Sequence, residues 1–310
     1  MELWKSAMLR LKNLAITFFY KSGASIARLL PKQLANLLPT LAEVALPLIL
    51  PAKRKMVSRH MSRVMGRQAS EQKIRQSVGQ AFGSYARYWI ESFRLPKETG
   101  AKLEAGIEVP DYHYVREGLE KGNGVILALP HLGGWEWAGF WMATVKKIPI
   151  SVVVEPLEPQ KLFDWFAKFR SELGMNVIPL GPSAGALVAA ALKRNEIVCL
   201  LSDRDIAGGG IKVEFLGEET TLPGGPALLS IRTGAALLPT AVYFEPNGKH
   251  LGIVRPPIDT SRLGKVSADV SRITSDLAQE LGHLISRAPD QWHLMQPNWP
   301  SDHQSVDKDD

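Results

Sequence analysis

Apolar residues recur with helical spacing from the start of the chain to about residue 95. Pro31, Pro39, Pro47 and Pro51 divide this stretch, and each predicts a helix boundary. From residue 123 the period changes. "GVILALP" precedes "WEWAGFWMATVKK", "ISVVVEP" precedes "PQKLFDWFAKFRSELG", and "NVIPLG" precedes "SAGALVAAALKRN", followed by "EIVCLLSD". Short, almost wholly apolar strands alternating with helices predict an α/β fold. Its central sheet is largely parallel or mixed and flanked by helices. Beyond "KVEFLG" the pattern gives a helix at "GPALLSIRTGA", a strand pair at "ALLPTAVYFEP" and "HLGIVRPPI", and a last helix from about Lys265 to Arg287. One domain is expected over residues 1–300, helical and membrane-facing over 1–95 and α/β over 96–300. Residues 301–310 form a loose acidic tail.

The chain has 310 residues, 45% hydrophobic and 22% charged, which suits a folded protein with a sizeable core. Its single cysteine, Cys199, excludes an internal disulfide framework and reads as a small buried hydrophobe. Charge is uneven. Residues 1–70 hold twelve Lys and Arg against Glu2 and Glu43, a local +10 within a chain of net +6. A basic, apolar amino-terminal quarter suits an anionic partner, either a membrane surface or a polyphosphate. Nucleic acid is not expected, because no zinc-finger spacing, ribonucleoprotein signature or basic zipper accompanies the charge.

"LANLLPTLAEVALPLILPA" is broken by three prolines and Glu43 and is not read as a span. Nor does the start read as a cleaved signal peptide. Helices lying in the membrane interface fit residues 1–50 as well as helices packed on the domain do. "KRKMVSRHMSRVMGR" reads as a basic amphipathic helix, with Lys53, Arg54 and Lys55 available to anionic lipid or to solvent.

In parallel sheets of this kind reactive groups gather beyond the carboxyl ends of strands. His131 follows "VILALP", Asp203-Arg204-Asp205 follows "IVCLLS", and Glu155 ends "SVVVE". If Pro130 closes the strand, Gly133 and Gly134 turn the chain into a helix starting near Trp135. His131 then lies in the loop and Glu136 in the first helical turn, where they can approach. Within one helix they would stand about 140° apart. A carboxylate beside an imidazole fixes its tautomer and favours the cation formed on taking up a proton, as a general base acting on an alcohol requires. The glycines leave room for substrate, and amides at the helix start can face an oxyanion. No second histidine or carboxylate stands at metal-ligand spacing, so no metal is expected. A Gly-x-Ser-x-Gly elbow is missing too, and Ser183 in "GPSAGA" reads as a helix cap.

"HLGGWEWAG" resembles the His-x4-acid motif of the lysophospholipid-acyltransferase-like superfamily, in the branch of the lipid A lauroyl/myristoyl acyltransferases. With "SDRD", "VEFLGEETTLPGGPALLSIRTGAALLP" and "QWHLMQPNWP", the chain looks most like actinobacterial phosphatidylinositol mannoside acyltransferases. Gly134 departs from the asparagine usual in lipid A enzymes. The resemblance implies acyl transfer from acyl-CoA, with no further cofactor, to a mannose hydroxyl of an anionic glycolipid. The enzyme would sit peripherally on the cytoplasmic face of the inner membrane. It implies His131 as base and a later acid as partner, Asp203 before Asp205, while Glu136 stays either catalytic or structural. A lipid A-type enzyme using acyl-carrier protein and a non-catalytic lipid-binding protein are the alternatives.

Polyanionic head groups call for guanidinium forks, for which Arg170, Arg204 and Arg232 are the candidates. Each also has a plain reading on a solvated helix face or loop. Gly209, in "AGGG", permits close backbone approach or marks a simple flexible loop. Trp135, Trp137, Phe140, Trp141 and Met142 either line an acyl slot or fill the core.

Overall fold

The computed structural model describes residues 2–66, 68–206 and 208–303, with backbone alone for 2–7 and 9–12. Its helices are α1 (Glu2–Leu29), α2 (Lys32–Ile49), α3 (Pro51–Met65), α4 (Glu71–Arg94), α5 (Gly100–Ala105), α6 (His113–Glu120), α7 (Trp135–Thr144), α8 (Gln160–Glu172), α9 (Ala184–Lys193), α10 (Gly225–Thr233), α11 (Val266–Arg287) and α12 (Pro300–His303). The strands are β1 (Ile107–Glu108), β2 (Val125–Leu129), β3 (Ile150–Val154), β4 (Met175–Pro179), β5 (Ile197–Leu201), β6 (Ile211–Phe215), β7 (Glu218–Leu222), β8 (Ala236–Phe244) and β9 (His250–Val254).

The seven-stranded sheet has the order β1-β9-β8-β2-β5-β3-β4. Every ladder in it is parallel except β8–β9. All five residues of β2 are buried, because helices cover both faces. Ile126 and Ala128 join one core cluster with α9 and α11, while Val125, Leu127 and Leu129 join the other with α5 and α7. The chain leaves β2 towards β3 and β4, returns to β5 beside β2, and only then fills the other side with β8. The carboxyl end of β2 is therefore a topological switch point, where an α/β sheet opens a crevice.

Three features depart from the sequence reading or add to it. Pro39 and Pro47 do not end helices: α2 runs through both, whereas Pro31 and Pro51 do mark boundaries. A proline costs a helix about 3 kcal/mol, and here close packing on α4 offsets it. A Cβ at Gly83 of α4 would lie 2.4 Å from Glu43 of α2, so only glycine lets the helices approach so closely. Second, "KVEFLG" is half of a hairpin, β6–β7, whose polar second strand escaped the periodic reading. Third, the tail is not loose from residue 301. Asp302 is fully buried and ion-paired with Arg63, while residues 304–310 lie outside the described residues.

Candidate active site

His131 stands two positions beyond Leu129, and Asp203 two beyond Leu201; Leu129 and Leu201 pair across the parallel β2–β5 ladder. The register alone thus brings the two side chains together. His131 Nδ1 lies 2.7 Å from Asp203 Oδ1, and the main-chain N–H of His131 donates to Oδ2 at 2.9 Å. Trp292 Nε1 donates to the same Oδ2 at 2.8 Å. Asp203 is wholly buried, while the His131 side chain keeps 25% of its surface exposed. Burial by itself would raise the pKa of Asp203. The charge and hydrogen bond of His131, together with the other donors, outweigh that and hold it below the usual carboxylate range. With an ionised acceptor at Nδ1, the imidazole carries its proton there and leaves Nε2 as the accepting nitrogen.

α7 starts at Trp135, as the sequence predicts. Glu136 nevertheless does not partner His131. Its Oε1 accepts from Arg170 Nε at 2.9 Å, from a second guanidinium N–H and from Tyr88 Oη at 3.2 Å. A carboxylate buried beneath the first turn needs a cation, and α8 supplies one. For Arg170, burial opposes the charge, but Glu136 and Tyr88 raise its pKa and keep it charged. Arg170 is consequently a spent guanidinium rather than a free anion fork.

Both members of this pair border a cleft enclosing about 590 Å³ of empty space, its open mouth included. The other walls are apolar, with Leu127 and Leu129 of β2, Val152 to Val154 of β3, Leu201 of β5, and Trp135 and Met142 of α7. His131 and Asp203 follow two of the lining strands, and the His131 ring meets Trp135 edge-on at 5.9 Å. Among the aromatic candidates, Phe140 and Trp141 belong to the core, and Trp137 stacks on His250 at 4.6 Å. Cys199 packs against the core and also forms part of the cleft wall, and burial pushes its thiol up to about 12.

Arg204 pairs with Glu155 at 2.8 Å, joining two of the predicted strand-end residues. Its Nε is buried without a hydrogen-bond partner among the described residues. Asp205 is a clasp: it accepts from the amides of Gly208 and Gly210 at 3.0 and 2.8 Å and from Thr221 Oγ1 at 3.2 Å. Gly209 lies exposed on that loop with φ +78°, and nothing stands within 4 Å of where a Cβ would be. Arg232 is corrected. It lies in the last turn of α10, just before β8 begins beside Val125, at the amino edge of the sheet. A strand of this length, about 16 Å, separates it from His131.

The main-chain N–H groups of Gly133 and Gly134, in the turn before α7, donate to the carbonyls of Gln291 and Val242, each at 2.9 Å. Ser183 occupies the N-cap position of α9 but makes no side-chain cap bond. No group of His, Cys, Asp and Glu able to hold a metal occurs among the described residues. The sequence reading missed Trp292, His293, Asn298 and Tyr88. The first three lie in the closing "QWHLMQPNWP", far from any strand end and without periodicity, so only the resemblance drew notice to them.

The model of the family described as bacterial lipid A biosynthesis acyltransferase matches residues 4–301. A phosphatidylinositol mannoside acyltransferase of Mycolicibacterium smegmatis is 38% identical over 228 residues, 73% of each chain. One of Mycobacterium tuberculosis is 38% identical over 225 residues, 71% of this chain and 69% of its own.

Proposed function

The chain belongs to the bacterial lipid A biosynthesis acyltransferase family, and on that footing we propose that it moves a palmitoyl chain from acyl-CoA to a mannose hydroxyl of a phosphatidylinositol mannoside. The observation that carries the mechanism is the His131–Asp203 pair at 2.7 Å, whose imidazole meets Trp135, a wall of the largely apolar cleft. His131 Nε2 takes the hydroxyl proton as the oxygen attacks the thioester carbonyl, and Asp203 stabilises the imidazolium. The tetrahedral intermediate then collapses, the C–S bond breaks, and the imidazolium returns the proton to the departing thiolate. The acyl chain occupies the cleft, where each buried CH₂ contributes about 0.8 kcal/mol. Arg204 faces an anionic group of donor or acceptor.

The acceptor is drawn from the relatives' activity, and Gly134 is fixed by packing within the protein. A side chain there, such as the asparagine usual in lipid A enzymes, would meet the His250 ring at 2.5 Å. The enzyme works peripherally on the cytoplasmic face of the inner membrane. Among the described residues no single helix is long and apolar enough to cross a bilayer; α2 and α3 together are, but bend by 108° between them. α1 and α2 instead expose Phe18, Phe19, Leu48 and Ile49, apolar surface suited to lying in an interface.

Purified protein given radiolabelled palmitoyl-CoA and a phosphatidylinositol dimannoside should form labelled glycolipid. His131→Ala should abolish transfer while unfolding as the parent does. An active His131→Ala protein refutes the mechanism, and wild type that binds lipid without turnover refutes the reaction.

A further inference from the structure

Asp203 has more partners than His131 provides, and the additional side-chain donors come from residues 289–303. Trp292 Nε1 holds Oδ2 at 2.8 Å, and Asn298 Nδ2 donates to the Asp203 carbonyl at 3.0 Å. The same segment grips the histidine. The His293 amide donates to the His131 carbonyl at 2.7 Å, and Leu132 bridges Trp292 in antiparallel fashion. One stretch of chain thus fixes the backbone and the acid of the pair.

That stretch is itself anchored to α3, the helix whose basic side chains the sequence offered to anionic lipid. Lys53 Nζ donates to the Met295 carbonyl at 3.1 Å, and His60 Nε2 lies 2.9 Å from the Gln296 carbonyl. Arg63 meets the buried Asp302 at 2.7 Å and stacks 4.3 Å over Trp299. Asp302 in turn accepts the amides of Asn298 and Trp299 at 3.0 and 3.2 Å. A remote, charge-assisted lock therefore stands behind the residues that touch Asp203.

We propose that Trp292 is a positioning residue for acyl transfer, its indole N–H holding Asp203 Oδ2 so that Oδ1 is presented to His131 Nδ1. The proposal builds on the reading of His131 and Asp203 as the working pair. Oδ2 is shared between the indole and the His131 main-chain N–H. With the indole N–H gone, one donor remains there and the carboxyl group regains freedom about its Cβ–Cγ bond. The imidazolium formed on His131 is then held less well by the turned carboxylate.

The test is Trp292→Phe in the full-length enzyme, assayed for palmitoyl transfer across pH. The expected result is a kcat lower by roughly 10- to 100-fold, the worth of a hydrogen bond to a charged group. KM should stay near the parent's, and the acid limb of the kcat profile should move to lower pH. A folded variant with unchanged kcat overturns the proposal. So does a loss explained by fewer active molecules with the acid limb unmoved. If Trp292→Phe fails to fold, benzothienylalanine incorporated at position 292, which keeps the ring shape and lacks the N–H, decides: the same kcat loss and shift of the limb support the assignment, and an unchanged kcat or an unmoved limb overturns it. His131→Ala in parallel separates the two readings, because an inactive His131→Ala beside an unaffected Trp292→Phe removes only the role of Trp292.

Discussion

His131 and Asp203 stand 72 positions apart in the chain and 2.7 Å apart in space. Pairing of Leu129 with Leu201 sets this, since two further residues along each parallel strand reach the histidine and the acid. Asp203→Asn keeps the size but withdraws the charge and sets an amide opposite two N–H donors. Transfer should fall by about 10²- to 10⁴-fold, measured as kcat by label incorporation.

Glu136 should behave differently, as half of a buried ion pair with Arg170. Glu136→Leu alone strands the guanidinium and should cost about 3–5 kcal/mol, read from urea denaturation. Glu136→Leu combined with Arg170→Met should recover most of that loss, whereas additive losses would show that the two do not interact.

Gly134 marks a contact between the catalytic turn and β9. Gly134→Asn should destabilise the fold by about 1–3 kcal/mol, because its Cβ would lie 2.5 Å from the His250 ring and 2.9 Å from Phe244. Pairing it with His250→Ala, which empties that space, should ease the clash, as thermal unfolding of the double variant would report.

Two buried histidines set an acid limit. Burial lowers His60 to about 4; burial, reinforced by the nearby charge of His131, lowers His293 to about 3. Unfolded, each titrates near 6.5. Between these values the unfolded chain binds more protons, so stability falls as pH drops below 6.5, down to about 4 for His60 and about 3 for His293. His60→Gln should flatten the unfolding free energy between pH 6.5 and 4.

Vesicle binding should depend on the apolar face of the amino-terminal helices. Phe18 and Phe19 are 73% and 74% exposed. Changing both to serine should weaken co-sedimentation with anionic vesicles more than neutralising Lys53, whose ammonium is bonded to Met295.

Much of the site was legible because strand and helix periods are local. "VILALP" and "IVCLLS" announced buried parallel strands, and their ends placed His131, Asp203, Arg204 and Glu155 on one edge of the sheet. Arg232 misled because a helix antiparallel to the strands carries its last turn to the far edge. Arg170 was legible as a residue on a helix, but its occupation by Glu136 was not, since no local pattern reveals which buried charges meet.

By itself the sequence determined the element types, the alternation that makes a parallel sheet, and the presence of a histidine at a strand's end. Those follow from backbone and side-chain preferences acting over a few residues. Which acid serves that histidine was decided by strand order and register, which place β5 rather than the start of α7 beside it. The grip of Trp292 on Asp203 likewise exists only once the carboxyl-terminal segment folds back across the sheet, because hydrogen bonds across 89 residues depend on tertiary packing.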